Sequence, residues 1–213
     1  MARPLTDIDA GRAQLLDQVE CLIRQRGAAT VTLAELAAAS GMSAGNIYRF
    51  FDSKEALFEA VAERWFAPKI AIMEQVVSSD LSPRDKLYAF FARRFVLMRD
   101  SFDAEPVLFE SYVELGQEHF DTVRGYVDLA DHYLAMVVAE AIDTGAFPGL
   151  TIDEAVSLIN LMIQPFCNPE LMMRLRHSVT EEKLARVVDA ILVGLEGTAS
   201  TNAVPMPARI ARA

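Results

Sequence analysis

The spacing of its apolar residues, which recur every three or four positions along most of the chain, constrains this sequence more than any other feature. Leu15, Leu16, Val19, Leu22 and Ile23 form one such stripe, and Val123, Val127, Ala130, Leu134, Val137 and Ala141 a longer one. Ala155, Leu158, Ile159, Met162, Ile163 and Phe166 make a third, and Leu184, Val187, Val188, Ile191, Leu192 and Leu195 a fourth. That period belongs to helices with one buried face. Capping chemistry marks where they start. Thr32-x-x-Glu35 and Thr151-x-x-Glu154 have the spacing at which a hydroxyl and a carboxylate satisfy the free amides of a first turn. Ser82-Pro83-Arg84-Asp85 sets a cap, a first-turn proline and an acid ahead of Leu87–Phe102, and Thr180-Glu181-Glu182 opens the last helix. Gly27, Gly145 and Pro148-Gly149 supply stops. Only Ala29–Leu33 alternates as a strand would, with no partner strand nearby. The reading is an all-α chain of about nine helices.

Composition narrows the class further. With 213 residues, 52% of them hydrophobic, the chain can bury a full core. Its longest uncharged stretch, Ala155–Pro169, contains Asn160, Gln164 and two prolines, and falls short of the about 20 apolar residues a membrane helix needs. The start, MARPLTDIDAG, has no apolar signal region, so the expectation is a cytoplasmic protein. Two cysteines, Cys21 and Cys167, are too few for a disulfide framework and read as buried thiols. The net charge of −10 argues superficially against a nucleic-acid partner. Its distribution does not. In the first 55 residues Arg3, Arg12, Arg24, Arg26, Arg49 and Lys54 nearly balance the acids, so a few clustered cations there can still meet a polyanion.

Leu33–Phe51, LAELAAASGMSAGNIYRFF, carries the functional signal. Two short helices crossing steeply need a small residue at their contact and a turn residue tolerant of positive φ. Ala37 and Gly41 meet those demands. Leu36, Met42, Ile47 and Phe51 supply the apolar lock, and Ala44, Gly45, Tyr48 and Arg49 form the opposite face of the second helix. Spacing alone fits either a helix-turn-helix or an ordinary helical hairpin.

The run GNIYRFFDSKEALFEAV, preceded by TVTLAELAAASGMSAG, resembles the DNA-binding domain of the TetR family of bacterial transcriptional regulators over about residues 11–60. The resemblance implies nine or ten helices, divided into a DNA-binding head at 1–60 and an effector-binding and dimerisation body at 61–197; residues 198–213 read as a disordered tail. It also implies contact residues for a double-stranded DNA operator. Thr32 matches a phosphate-contacting hydroxyl and can also be a plain cap. Ser43, Ala44 and Gly45 occupy the groove-facing start of the recognition helix, where Ala44 would touch a thymine methyl and Gly45 would permit close approach. Tyr48 matches a phosphate-binding tyrosine, Arg49 reads a guanine or holds a phosphate, and Lys54 adds charge near the backbone. Phe50 stands where many members carry His or Tyr, which removes a polar contact there.

In the body, aromatics and methionines are dense between Trp65 and Met136. Each by itself reads as core. Together, and with the resemblance, Phe91, Phe95, Met98, Phe109, Tyr112, Tyr126 and Tyr133 are candidates to line a pocket for a small apolar effector, with His132 and Asn168 as polar anchors or His132 as a core histidine satisfied by a backbone carbonyl. Arg93, Arg94 and Arg99 read as a solvated face. The helix from Thr151 carries Ile152, Val156 and Leu161 beyond its main stripe, so it must be covered on both sides. Leu158, Ile159, Met162, Val188, Ile191 and Leu192 are expected to form a four-helix interface in a homodimer, as the resemblance also implies; the alternative is a helix central to the monomer. No hydrolase, zinc-protease, P-loop or calcium-loop pattern occurs, and no cofactor is expected; Glu114, Glu118, His119 and Asp121 read as a helix face. The function expected is a ligand-responsive regulator, a repressor released by its effector. The alternative is a helical adaptor that no longer binds DNA.

Overall fold

The structure is a computed structural model that describes residues 8–27 and 31–196. Among them are ten helices and no strand: α1 (Ile8–Arg26), α2 (Leu33–Ser40), α3 (Ala44–Ile47), α4 (Lys54–Val77), α5 (Pro83–Ala104), α6 (Pro106–Glu118), α7 (Phe120–Asp143), α8 (Ile152–Cys167), α9 (Pro169–Arg174) and α10 (Glu181–Glu196). The expected tail over 198–213 lies outside the described residues, as do positions 28–30 of the segment that alternated.

The capping chemistry read from the sequence is present. Thr32 and Thr151 each accept from the amide three residues on, at 3.2 and 3.3 Å, while Glu35 and Glu154 accept from the cap amides at 2.8 and 2.9 Å. Ser82 accepts from the Asp85 amide at 3.2 Å, and Thr180 from that of Lys183 at 3.2 Å. Two breaks were not anticipated. A turn at His119 separates α6 from α7, and Asn168 caps a short α9 by accepting from Leu171 at 3.0 Å. The Asn168 side-chain oxygen is thus committed to the backbone of α9. His132 is exposed on α7, outside any core. Both cysteines are half-buried, contrary to the expectation of buried thiols.

The chain divides into two compact units, one of Met1–Met73 with Arg94–Ala130, the other of Glu74–Arg93 with Asp131–Ala213. In the first, α1 packs on α2 and α6, and α2 on α3. Leu15, Val19, Ile23, Leu36, Ile47, Phe51, Leu57 and Val61 share one core with Leu108 and Tyr112 of α6. The residues of the expected head therefore do not close a core by themselves: α6 completes it. In the second, α8 packs on α9 and α10, and Ile159, Ile163, Val188 and Ile191 are buried. Lys86 is also buried there, where its ammonium donates to the Val77 carbonyl at 2.9 Å and to Glu140 at 2.7 Å, a charge matched by a counter-charge.

Candidate nucleic-acid interface

The site is built from α2 outward. The Thr32–Glu35 box fixes the start of α2, and Gly41, at φ +66°, ends it in the left-handed conformation that glycine adopts without strain. The Met42 amide reaches back to the Ala37 carbonyl at 3.0 Å, which closes the helix and reverses the chain. Ala37 is buried, as a close crossing requires. α3 opens at Ser43, whose carbonyl accepts from Asn46 and Ile47 at 2.9 and 3.2 Å. Regular helix extends only to Ile47, shorter than the sequence suggested. Three-residue bonds from Arg49 to Asn46 and from Phe50 to Ile47, at 3.2 and 2.9 Å, then tighten the chain as far as Phe51.

This geometry sorts the side chains by face. Ile47, Phe50 and Phe51 turn inward and are buried. Phe50 lies against Gly11 of α1 so closely that a β-carbon there would sit 2.4 Å from its ring. That packing gives the physical reason for an apolar ring at this position, and it pins the end of the turn to α1. The opposite face is open. Ser43 and Gly45 are exposed, and no atom lies within 4 Å of where a Gly45 side chain would begin. Tyr48 is 52% exposed and Arg49 is exposed; neither side chain has a hydrogen bond or ion pair among the described residues. The methyl contact expected of Ala44 rests on a side chain outside those described.

Electrostatics distinguish the two outer positions. The Thr32 hydroxyl donates to Glu35 at 2.9 Å, and Arg26 also pairs with Glu35. The Thr32 amide, then its hydroxyl, then Arg26 hold the Glu35 carboxyl down to about 2. Thr32 is therefore a cap in the free protein, and its hydroxyl is already engaged. Lys54 is exposed in the first turn of α4, where Ser53 accepts from the Ala56 amide at 3.1 Å. A cation is thus exposed at the start of α4, beside the positive end of the helix dipole.

The residues proposed for a pocket fall in both units. In the first unit Trp65 stacks on Tyr112 at 4.4 Å and meets Phe109 edge-on at 5.0 Å, while Phe66 stacks on Tyr126 at 4.4 Å. Phe95 and Met98 are buried on α5. The Tyr112 hydroxyl donates to Glu20 of α1 at 2.9 Å, and Arg64 pairs with the same carboxylate at 3.0 Å. Burial, and next the Glu20 charge, push the phenol above the range reached by ordinary tyrosines. Phe91 and Tyr133 belong to the second unit, Phe91 edge-on to Phe90 and Tyr133 donating to Glu74 at 2.9 Å. Sequence reasoning missed Lys69, whose ammonium lies over Trp65. A lysine on a helix gives no sign of turning inward. His119 stacks on Phe58 at 4.0 Å, and no metal-binding cluster occurs among the described residues.

The expected interface residues also divide. Ile159, Val188 and Ile191 are buried inside the protomer and pack the second unit's own core, so they cannot face a partner. Leu158 and Met162 are exposed, and Leu192 is half-buried. Leu161 at 70% and Val193 at 69% are the most exposed apolar side chains of α8 and α10. Val193 went unnoticed in the sequence, where it is one more apolar residue in an apolar helix.

Residues 15–61 match the family described as bacterial regulatory proteins, tetR family, and residues 83–188 match the tetracycline repressor-like C-terminal domain. The transcriptional repressor KstR2 of Rhodococcus jostii is 30% identical over 93 residues, which span 42% of this chain and 46% of that protein. KstR2 of Mycobacterium tuberculosis is 22% identical over 156 residues, 72% of this chain and 78% of the other. Among solved structures, SmeT, the repressor of the Stenotrophomonas maltophilia multidrug efflux pump SmeDEF, shares the fold with a TM-score of 0.67 at 18% identity, over 86% of this chain and 89% of its own. FadR of Bacillus subtilis, solved with stearoyl-CoA, gives 0.63 at 18% identity, over 85% and 98%. The helix-turn-helix with its open α3 face and the two family matches agree: the chain belongs to the TetR family of bacterial transcriptional regulators.

Proposed function

We propose that the protein is a homodimeric repressor that grips a near-palindromic operator through α3 and leaves it when a small apolar effector enters the body. The observation that carries this reading is the outer face of α3. Gly45, Tyr48 and Arg49 are exposed, and neither Tyr48 nor Arg49 has a hydrogen bond or ion pair among the described residues, on a helix and following turn whose other face is locked into the core. Such a face offers a donor and a cation to phosphates and leaves room for close approach to base edges. Thr32 would share its hydroxyl between Glu35 and a phosphate, and Ser43 and Lys54 would complete the grip. Arg49, on the groove-facing helix, would hold a phosphate or read a guanine.

Two copies are needed to read two half-sites about 34 Å apart. Leu158, Leu161, Met162 and Val193 supply an apolar surface for that pairing. No described helix is long and apolar enough to cross a membrane, which is compatible with work on chromosomal DNA in the cytoplasm. FadR, whose fold this chain shares, was solved with an acyl-CoA, which makes long-chain apolar compounds the first class to screen.

The test begins with selection of an operator from random duplexes, followed by affinity against salt. A repressor of this kind binds the selected duplex with a steep salt dependence and is released by an apolar compound. Absence of duplex binding at low salt would leave the adaptor as the better account.

A further inference from the structure

Lysines on a helix ordinarily turn their ammonium outward to water. Lys69, in α4, does not. Its Nζ lies 3.6 Å from the centre of the Trp65 ring and 5.4 Å from that of Phe66, and donates to the Trp65 carbonyl at 2.8 Å. No carboxylate among the described residues pairs with it. The formal charge acting on it is the Arg94 guanidinium, of like sign. Burial first, and Arg94 second, pull its ammonium down to about 7. Lys86 makes the contrast, since that buried lysine has Glu140 against it.

The surroundings of Lys69 are aromatic. Trp65 leads into Tyr112 and Phe109, and Phe66 into Tyr126, so the ammonium stands where two ring stacks begin. The indole face and the Trp65 carbonyl hold the ammonium, and a carboxylate would supply the counter-charge that neither of them carries. Rings on either side suit the apolar remainder of the same molecule.

We infer that Lys69, beside Arg94 and the Trp65 and Phe66 rings, is the anion-binding point of the effector site, and that the effector is an apolar molecule ending in a carboxylate. This rests on the reading of the body as an effector domain, and it names the class of effector.

Trp65 is the only tryptophan in the chain, so its fluorescence reports on this one place. The full-length protein is titrated with decanoate and with decanamide, which has the same chain length and no charge. Decanoate is expected to change Trp65 emission saturably and to bind at least about tenfold more tightly than the amide, as a hydrogen bond between charged groups commands. Lys69→Met should abolish that preference and Lys69→Arg should restore most of it, with circular dichroism confirming the fold of both. Equal affinity of acid and amide for the wild type, which needs no variant, would overturn the inference. So would undiminished decanoate binding by a folded Lys69→Met, or no saturable response to decanoate. Operator release is followed in parallel. Lys69-dependent binding without release would keep the anion site and reject the effector-released repressor; release by acid and amide alike would do the reverse.

Discussion

The α3 segment with the turn that follows it and the α8–α10 pair both carry exposed side chains that no other described residue engages, and they differ in chemistry. On α3 and the turn after it these are a phenol, a guanidinium and a bare glycine backbone. On α8 and α10 they are Leu158, Leu161, Met162 and Val193. A polar face without partners calls for a polyanion, while an apolar one calls for another apolar face. In both places the functional residues sit next in the chain to core residues. Ile47 lies behind Tyr48, and Ile159 behind Leu158. Adjacent positions thus carry opposite consequences, and substitutions can separate them.

The largest effect should come from the inner side of the apolar pair. Ile191→Glu places a charge in the second unit's core and should cost roughly 4 kcal/mol or more, enough to unfold much of the protein in a denaturant titration. Leu161→Glu, on the outer side, should change the stability of a protomer by no more than about 0.5 kcal/mol while raising the dimer dissociation constant severalfold to a hundredfold, as read by sedimentation. If Leu161→Glu stayed fully dimeric at low micromolar concentration, the apolar face would belong to some other partner.

Next come the changes on α3. Gly45→Val meets open space inside the protein, so its melting temperature should hold while specific operator binding is lost. Tyr48→Ala should weaken binding to every duplex by about tenfold, and Lys54→Ala should lower the slope of log affinity on log salt by about 1. A Tyr48→Ala protein with altered base preference would move this tyrosine from phosphate to base contact.

The smallest expected effect concerns the start of α2. The Glu35 carboxyl is held at about 2 in the folded protein, below its ordinary value of 4.5, first by the Thr32 amide. Its contribution to stability is therefore full above pH 4.5 and lost as the pH falls from there through about 2. The difference in melting temperature between wild type and Glu35→Gln should shrink across that window. A difference independent of pH would mean that the box acts through geometry alone.

Much of this was legible in the residues. Local chemistry set the helix starts, because a capping box closes within four residues and needs nothing from the rest of the chain. The turn at Gly41 and the inward Ile47 and Phe51 were legible for the same reason, as was the outward face of α3. The shortening of α3 was not. The turn that replaces its last residues carries Phe50 onto Gly11, a contact made across the fold that local spacing does not announce. Asn168 misled because its cap starts a helix of one and a half turns, too short for any apolar period to announce.

What the sequence determined by itself, then, was every property with a range of about one helical turn: caps, stops, periods and the helix-turn-helix geometry. The tertiary structure alone decided which apolar residues are spent inside the protomer and which remain outside. Ile159 and Leu158 are equivalent as letters and differ only in burial. The same holds for charge. Lys69 and Lys54 carry the same ammonium, and one faces solvent while the other lies over an indole. The physical reason is that burial is a relation between elements distant in sequence, so it is settled only when they pack.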